Sequence, residues 1–238
     1  MDKIKAMILS AGIGERLRPL TNKTPKAMIP IGGKPLLQHQ IELLKGHGIR
    51  DFVINLHHLP DQIINYFRDG SQFGVSIAYT REPTILGTAG GIKNAERLLS
   101  DPFLVIYADN LTNMDITSVI KFHRQHHGPV TLTVYDSPSP ETMGVVLTDG
   151  NDNIIGFLEK HPNPPTSEVS AGICIYDKAI LRYIPPGVFY DQGKDLYPDL
   201  LRRGVLLKRF NPHAYVQDTG TKERYAKAQK DYENGVFN

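Results

Sequence analysis

Two glycines and a group of cations lie close together near the start of the chain. Gly12 and Gly14 follow residues 7–9, an apolar run typical of a strand. Arg16 and Lys26 come within the next dozen residues. Because a glycine has no Cβ, its backbone N–H groups can approach a phosphate chain closely, and nearby cations neutralise the phosphate charge. An ordinary strand-to-helix connection needs neither feature, so the pattern predicts a loop that binds a nucleoside triphosphate.

Two better-known phosphate loops are excluded by their spacing. The dinucleotide fingerprint G-x-G-x-x-G fails because Leu17 stands where the third glycine belongs, and the P-loop pattern G-x-x-x-x-G-K-[ST] occurs nowhere in the chain. Residues 12–26 read G-x-G-x-R-L-x-P-L-T followed by x-x-T-P-K. This pattern resembles the signature of the sugar nucleotidyltransferases, which are also called nucleotide-sugar pyrophosphorylases.

The resemblance continues along nearly the whole chain. Asp109 in VIYADN and Asp218 in QDTGTKERY stand where family members have two metal-binding aspartates. Glu159 and Lys160 in FLEKH match an element that contacts the sugar and its phosphate. The sequence LGTAG at 86–90 is similar to that of the mannose-1-phosphate and heptose-1-phosphate guanylyltransferases.

The resemblance implies a role for each matching residue. The implied catalytic residues are Arg16, Lys26, Asp109 and Lys160. The implied nucleotide-binding residues are Leu9, Ala11, Gly12, Gly14, Arg16, Lys26, Glu82, Gly87, Thr88 and Asp109. The implied sugar-phosphate-binding residues are Asp109, Gly144, Glu159, Lys160, Gly172 and Asp218. The implied cofactor is Mg²⁺, bound by Asp109 and Asp218.

The implied reaction accounts for these residue types. An oxygen of a sugar 1-phosphate attacks the α-phosphorus of a nucleoside triphosphate, and pyrophosphate leaves. Since the nucleophile is already an anion, catalysis requires positioning and charge stabilisation rather than a general base. Mg²⁺ prefers carboxylate and phosphate oxygens and few protein ligands, which suits two aspartates. The rigid fork of Arg16 suits the triphosphate, whereas Lys26 and Lys160 supply compact charge near the α-phosphate and the sugar phosphate.

The nucleobase is predicted from the turn that contains Glu82. A carboxylate only accepts hydrogen bonds, and guanine offers two adjacent donors, N1–H and the 2-amino group. Gly87 leaves room for a purine, and Thr88 could contact it. We therefore predict GTP as the donor. The alternative is that Glu82 points to solvent and that backbone groups read the base.

Strand-like and helix-like segments alternate along the chain. Strands are predicted at 7–9, 52–56, 75–79, 103–107, 130–135, 144–147, 154–158, 169–176, 205–210 and 215–216. Helices are predicted at 36–48, 60–68, 89–99, 115–127, 195–202 and 221–233. Repeated βα units in the first half favour a mostly parallel sheet with helices on both sides, and ligands then bind at the carboxyl ends of its strands.

These elements predict the fold class. We expect an α/β fold, a single Rossmann-like three-layer domain over residues 1–238 with a mostly parallel mixed sheet. Turn residues at 149–153 predict a hairpin that covers the active face and supplies contacts on the sugar side. Nothing in the sequence resembles the C-terminal β-helix that some relatives carry after this module.

Composition restricts the classes of partner. The 238 residues carry a net charge of +2, which is too balanced to favour nucleic acid or a membrane surface. Cys174 is alone, so an intrachain disulfide is excluded and a reducing compartment is favoured. With no signal-peptide pattern and no apolar run that could span a bilayer, we expect a cytoplasmic protein. The predicted partners are a nucleoside triphosphate and a sugar 1-phosphate, with a homodimer left open.

Several candidate residues have simpler explanations. Asp109 could be a turn residue, and Asp218 could cap the last helix. Lys160 could be a solvated charge. His123 and His127 have the i, i+4 spacing of metal ligands, but without a carboxylate in the motif we interpret them as cations near a helix C-terminus.

Three functions are compatible with the sequence. The first is a sugar-1-phosphate guanylyltransferase acting on mannose or a heptose. The second is a uridylyl-, thymidylyl- or cytidylyltransferase of the same family. The third is a non-catalytic paralogue that binds a nucleotide sugar and regulates a partner. The sequence retains all five charged candidates, namely Arg16, Lys26, Asp109, Lys160 and Asp218. This favours catalysis, because a protein that only binds a nucleotide sugar needs no residues arranged for in-line attack.

Overall fold

The computed structural model describes residues 3–237, in which nine of thirteen strands form one mixed sheet and the other four form two short pairs. The strands are β1 (Lys5–Leu9), β2 (Pro30–Ile31), β3 (Lys34–Pro35), β4 (Asp51–Leu56), β5 (Ser76–Arg81), β6 (Phe103–Tyr107), β7 (Asn110–Thr112), β8 (Val130–Asp136), β9 (Gly144–Thr148), β10 (Ile154–Glu159), β11 (Glu168–Tyr176), β12 (Leu207–Phe210) and β13 (Val216–Asp218). The helices are α1 (Leu36–Gly46), α2 (Pro60–Phe67), α3 (Gly87–Asn94), α4 (Ile116–Gln125), α5 (Tyr197–Arg202) and α6 (Lys222–Glu233).

The sheet has a parallel half and an antiparallel half. Its strand order is β10-β9-β11-β6-β1-β4-β5, and β8 pairs with both β11 and β12. β6, β1, β4 and β5 are parallel neighbours, whereas β11 runs antiparallel to β6, β8 and β9. In the register of β1 and β6, Leu9 lies opposite Tyr107, so the loops that follow these strands start side by side. The predicted mixed sheet is confirmed.

The central strands are buried on both faces, which explains their continuous apolar sequences. Successive side chains point to opposite faces, so β1 contributes Ile8 to one core and Met7 to the other. The first core packs against α1, α2 and α4 through residues such as Leu37, Phe67 and Val119. The second core packs against α3 and α5. The predicted three-layer α/β arrangement is therefore confirmed.

The structure differs from the predicted elements mainly at element ends. The predicted helix at 89–99 is α3 followed by a separate 3₁₀ turn, Glu96–Leu98. The predicted helix at 195–202 is a π-helical turn, Gln192–Leu196, that leads into α5. Three strands of two or three residues, β2, β3 and β7, were not predicted because such short pairs depend on tertiary contacts.

The predicted hairpin is present. β9 and β10 pair antiparallel, with Gly144 opposite Glu159. In the turn between them, the Asp149 carboxylate accepts hydrogen bonds from the backbone N–H groups of Asn151 (2.8 Å) and Asn153 (3.0 Å). These bonds explain why the sequence DGNDN forms a turn here.

The described residues contain neither a β-helix nor a helix long and apolar enough to cross a membrane. Cys174 is buried, and burial raises the pKa of its thiol to about 11. Burial and the raised pKa indicate a packed, unreactive thiol.

A chain of hydrogen bonds fixes two histidines beside the end of α4. The Gly128 N–H donates to Nδ1 of His126 (3.0 Å), so the proton of this ring is on Nε2, which lies 2.7 Å from Oγ1 of Thr131. The Thr131 hydroxyl is then free to donate to Nδ1 of His123 (2.8 Å), whose Nε2 lies 3.2 Å from Asp177. Both rings are neutral in this arrangement.

The expectation that His123 is a cation near a helix end is wrong. His123 is buried, and burial lowers its pKa despite the opposing effect of Asp177. Burial, together with the neighbouring His123, lowers the pKa of His126 to about 4. The ring next to His123 is that of His126, so the i, i+4 pair with His127 does not form a site. The described residues contain no cluster of three or more side chains that could hold a metal ion.

We predict that acidic pH destabilises the fold through His126. In the unfolded chain a histidine takes up a proton near its ordinary pKa of about 6.5, whereas folded His126 stays neutral down to about pH 4. The unfolded state thus binds more protons in this window, and the free energy of unfolding falls as pH decreases through it. Urea unfolding at about pH 7 and about pH 5 measures this loss.

The control compares two glutamine variants. His126→Gln should reduce the loss of unfolding free energy between the two pH values, while substitution of its exposed neighbour, His127→Gln, should leave that loss unchanged. If the unfolding free energy of His126→Gln and of the original chain changed equally with pH, His126 would not be the source of the acid sensitivity.

Candidate active site

Two adjoining cavities open at the carboxyl ends of β1 and β6. The loop cavity, of about 210 Å³, is lined by Leu9, Ser10, Ala11, Gly12, Lys26, Ala27, Asn55, Ile85, Gly87, Thr88, Tyr107, Ala108, Asp109 and Asp191. The hairpin cavity, of about 250 Å³, is lined by Arg16, Thr88, Tyr107, Asp109, Asn110, Tyr135, Thr142, Met143, Gly144, Phe157, Glu159, Lys160, Ser170, Gly172, Asp191, Gly193, Tyr197, Asp218 and Arg224. Four residues line both cavities, namely Thr88, Tyr107, Asp109 and Asp191.

The structure brings nearly all of the predicted site residues together. The loop cavity contains Leu9, Ala11, Gly12, Lys26, Gly87, Thr88 and Asp109. The hairpin cavity contains Arg16, Asp109, Gly144, Glu159, Lys160, Gly172 and Asp218. Gly14 and Glu82 line neither cavity.

The two glycines of the loop have different structural roles. A Cβ added at Gly12 would meet no atom within 4 Å, so this residue leaves the cavity wall open. Gly14 has a φ of +73° and lies below the wall, where an added Cβ would come within 2.8 Å of Thr21 Cγ2 and 3.1 Å of Lys26 Cβ. Gly14 therefore provides the left-handed turn, and its missing Cβ leaves space for the Lys26 side chain to pack against the loop.

An ion pair between Lys26 and Asp109 lies where the two cavities meet. The Lys26 ammonium contacts Oδ2 of Asp109, and both side chains are mostly buried, with exposed fractions of 16% and 22%. Burial raises the pKa of the Asp109 carboxyl, but the charge and hydrogen bond of Lys26 outweigh burial, so the net pKa lies below its ordinary value. Asp109 is therefore ionised at neutral pH and faces the predicted phosphate path.

The second aspartate is held next to the first. Asp218 pairs with Asn110 between β13 and β7, and Thr219 donates from its backbone N–H (3.0 Å) and its hydroxyl (2.9 Å) to the Asp109 carbonyl. Asp218 also accepts a hydrogen bond from Nη1 of Arg224 at 2.7 Å. The cap of α6 is Thr221, which excludes the simpler explanation of Asp218 as the cap residue.

The donor atoms of Asp109 and Asp218 fit a hard divalent cation. Both carboxylates line the hairpin cavity, and each is balanced by a side-chain cation, Lys26 or Arg224. Mg²⁺ is usually bound by one or two carboxylates, with substrate phosphates and water completing its octahedron. Two aspartates in a cavity suited to phosphates supply that kind of donor set.

The hairpin contributes Glu159 and Lys160. Burial, and then the nearby negative charge of Asp191, raise the pKa of Glu159. Lys160 has a positive φ of 53°, its backbone N–H donates to the Met143 carbonyl at 2.9 Å, and its side chain is exposed at the cavity rim. An exposed rim ammonium can bind an incoming anion at little desolvation cost.

Gly144 and Gly172 bring backbone to the wall of the hairpin cavity. A Cβ at Gly144 would come within 3.1 Å of Oε2 of Glu159 and closer still to the Phe157 ring. Gly172 has a φ of +71°, and a Cβ there would collide with the Asn110 amide. Both positions therefore require glycine for packing, whatever they bind.

The contacts of Glu82 differ from both alternatives that the sequence left open. This carboxylate is only 3% exposed and lines neither cavity. It accepts hydrogen bonds from Nδ2 of Asn55 (2.7 Å) and from the Leu86 backbone N–H (2.9 Å). A buried carboxylate needs such partners. Glu82 therefore lies behind the cavity wall, where it orients Asn55, which lines the loop cavity.

Asn55 is one of the site residues that the sequence analysis missed. Its Oδ1 accepts the Ser10 N–H at 2.8 Å, which ties the end of β4 to the loop after β1. Asn55 could have been found, because it is a polar residue next to the carboxyl end of the strand predicted at 52–56. Asp191 lies in an irregular segment and carries no sequence signal that separates it from surface charge. Arg224 could have been found, because it lies in the QDTGTKERY element that resembles the family.

Comparisons with known proteins show the family of the chain. A model of the nucleotidyl transferase family matches residues 5–235. A UTP–glucose-1-phosphate uridylyltransferase of Synechocystis sp. is 39% identical over 218 residues, which cover 85% of this chain and 56% of the relative. A mannose-1-phosphate guanylyltransferase of Mycobacterium tuberculosis is 33% identical over 236 residues, which cover 98% of this chain and 66% of the relative.

A solved structure supports the same assignment. HddC from Yersinia pseudotuberculosis, in complex with GMP-PN, is 25% identical and superposes with a TM-score of 0.83, covering 96% of this chain and 99% of that chain. The chain spans about half to two thirds of the length of the curated relatives described above. The family match nevertheless includes both cavities and both aspartates. The chain therefore belongs to the nucleotidyl transferase family.

Proposed function

We propose that the protein is a sugar-1-phosphate nucleotidyltransferase, which transfers a nucleoside monophosphate to a sugar 1-phosphate and releases pyrophosphate. The observation that carries this proposal is the Lys26–Asp109 ion pair at the junction of the two cavities. A phosphoryl centre at this junction would be reached by a nucleotide from one side and by a sugar phosphate from the other. The two-cavity arrangement thus suits joining of two phosphorylated substrates.

The loop cavity suits the nucleoside triphosphate. Its wall is backbone at Ala11 and Gly12 and an ammonium at Lys26, and Arg16 continues the positive wall into the hairpin cavity. On this proposal Lys26 leaves Asp109 to contact the phosphate on which negative charge accumulates in the transition state. Arg16 binds the phosphates in bidentate fashion.

The hairpin cavity suits the sugar 1-phosphate. Lys160 at its rim provides charge for the phosphate, and Glu159 provides acceptor oxygens for sugar hydroxyl groups. Because the sugar phosphate is already an anion, these residues need only orient one of its oxygens in line with the leaving pyrophosphate.

Members of this family generally use a divalent metal ion. We propose Mg²⁺ at Asp109 and Asp218, whose carboxylates fit it as described above. When bound, the ion neutralises phosphate charge and polarises the transferring phosphoryl group.

GTP is the proposed donor, and mannose or a heptose 1-phosphate the proposed acceptor. The M. tuberculosis guanylyltransferase that matches 98% of this chain and the HddC complex with GMP-PN support this choice. A uridylyltransferase is the second candidate, because the Synechocystis relative is 39% identical. Glu82 no longer separates them by direct contact, and the Asn55 amide that it orients can both donate and accept hydrogen bonds.

A panel of donors and acceptors tests the proposed function. GTP, UTP, dTTP, CTP and ATP are each combined with mannose, glucose and heptose 1-phosphates, with pyrophosphate release as the readout. We expect GTP with a mannose-type acceptor to give the highest kcat/KM. A higher kcat/KM with UTP would select the second candidate, and absence of pyrophosphate from every combination would reject the enzyme class.

Asp109→Asn should lower kcat by about a hundredfold or more, because the neutral amide lacks the negative charge that pairs with the metal ion and with Lys26. The Kd for Mn²⁺, measured by electron paramagnetic resonance, should rise with it. Asp61→Asn is the matched control, since Asp61 is ion-paired to Arg81 at 2.9 Å on the open surface. Near-normal turnover and Mn²⁺ affinity in Asp109→Asn would remove Asp109 from the proposed role.

Lys160→Ala should raise the KM for the sugar 1-phosphate at least about tenfold and change the nucleotide KM little, because a charge-assisted hydrogen bond to phosphate is lost. Lys194→Ala is the control, since Lys194 also lies near Glu159 but lines neither cavity. Equal KM values for the sugar 1-phosphate in Lys160→Ala and the original chain would make Lys160 a solvated surface charge.

Lys26→Ala should instead lower kcat, because its charge acts on the transition state.

A further inference from the structure

One irregular segment touches the walls of both cavities. We call residues 188–193 the bridging segment; it precedes and enters the π-helical turn before α5. Asp191 lines both cavities, and Gly193 lines the hairpin cavity. Nothing in the proposed chemistry uses this segment.

On the side of the loop cavity, the bridging segment is fastened to the start of α3. The Tyr190 backbone donates to the Leu86 carbonyl (2.8 Å) and accepts from the Gly90 N–H (2.9 Å). The fit is close, because a Cβ at Gly87 would lie 2.7 Å from the Tyr190 carbonyl oxygen, and one at Gly90 would lie 2.7 Å from that of Val188. Gly87 therefore allows this approach rather than merely leaving room for a purine.

Side chains complete this attachment. The Thr88 hydroxyl donates to Oδ2 of Asp191 (3.0 Å) and accepts from the Gln192 backbone N–H (2.7 Å). The other oxygen of Asp191 accepts the N–H groups of Gly193 (3.0 Å) and Lys194 (3.3 Å). Asp191 thus joins α3 to the turn that leads into the hairpin cavity.

On the side of the hairpin cavity, the same segment packs against β10. A Cβ at Gly193 would lie 2.8 Å from Oε2 of Glu159 and 2.8 Å from Cε1 of Phe157. Gln192 is buried and accepts a hydrogen bond from the Tyr107 hydroxyl at 3.2 Å, which anchors the segment to the end of β6. The segment therefore contacts both walls and the sheet between them.

We infer that the bridging segment sets the separation of the two cavities and that Asp191 is its positioning residue. This inference rests on the proposed function. A nucleotide sugar spans both cavities, whereas a nucleoside monophosphate or a sugar 1-phosphate occupies one. A change in the separation of two linked sites weakens a ligand that must occupy both and leaves its separate parts unaffected.

Calorimetric titration of the intact protein with GDP-mannose, GMP and mannose 1-phosphate tests the inference. If the donor panel selects another base or sugar, the corresponding three ligands are used. Asp191→Asn should weaken GDP-mannose binding by about tenfold more than it weakens the binding of GMP or of mannose 1-phosphate. Asp199→Asn is the matched control, because Asp199 lies in α5 just after this turn, pairs with Arg203 at 2.8 Å and lines neither cavity.

A second variant displaces the bridging segment from its other side. Gly90 is buried and lines neither cavity, so Gly90→Ala pushes against the Val188 carbonyl without altering a cavity wall. It should reproduce the selective loss of GDP-mannose affinity. Gly46→Ala is its control, because an added Cβ there meets no atom within 4 Å.

The outcomes separate the inference from the proposed function. Unchanged GDP-mannose binding in Gly90→Ala and Asp191→Asn, or equal weakening of all three ligands, would overturn the inference alone. Failure of the original chain to bind any nucleotide sugar would overturn the proposed function and the inference with it.

Discussion

The parallel pairing of β1 with β6 is the contact on which the site depends. Leu9 and Tyr107 end these strands opposite each other, and the Ala108 N–H donates to the Leu9 carbonyl at 3.1 Å. Both strands are buried on both faces, so a slip of one residue would exchange the two hydrophobic cores and is strongly disfavoured. The fixed register brings the glycine loop and the turn of Asp109 together, although nearly a hundred residues separate them in sequence.

Charge is the second constraint. A site for two polyanions needs cations, and a metal site needs carboxylates, yet an unpaired buried charge is costly. The structure meets both needs by pairing Lys26 with Asp109 and Arg224 with Asp218. On the proposed function, each partner exchanges its contact for a phosphate or a metal ion. The free site therefore remains compact without isolating a buried charge, and the same groups suit substrate binding.

Glycines determine how irregular segments reach the site. Gly14 lets Lys26 cross below the loop, and Gly87 and Gly90 let the bridging segment lie against α3. These contacts are backbone to backbone or backbone to side-chain stem, with no room for a Cβ. Close packing therefore requires glycine at these positions, and the same holds for Gly144 and Gly172.

The sequence by itself determined the fold class, because hydrophobic periodicity and local turn chemistry are properties of neighbouring residues. Residue types and spacing indicated the glycine loop with Lys26, and the family resemblance indicated the two aspartates. The sequence misassigned Glu82 and His123, whose surroundings come from distant segments: Asn55 for the former, Thr131 and Asp177 for the latter. Short strands such as β7, and the bridging segment with Asp191, also depended on the tertiary structure. Burial and hydrogen-bond partners across the chain decide whether a polar side chain faces a ligand or supports the residue that does.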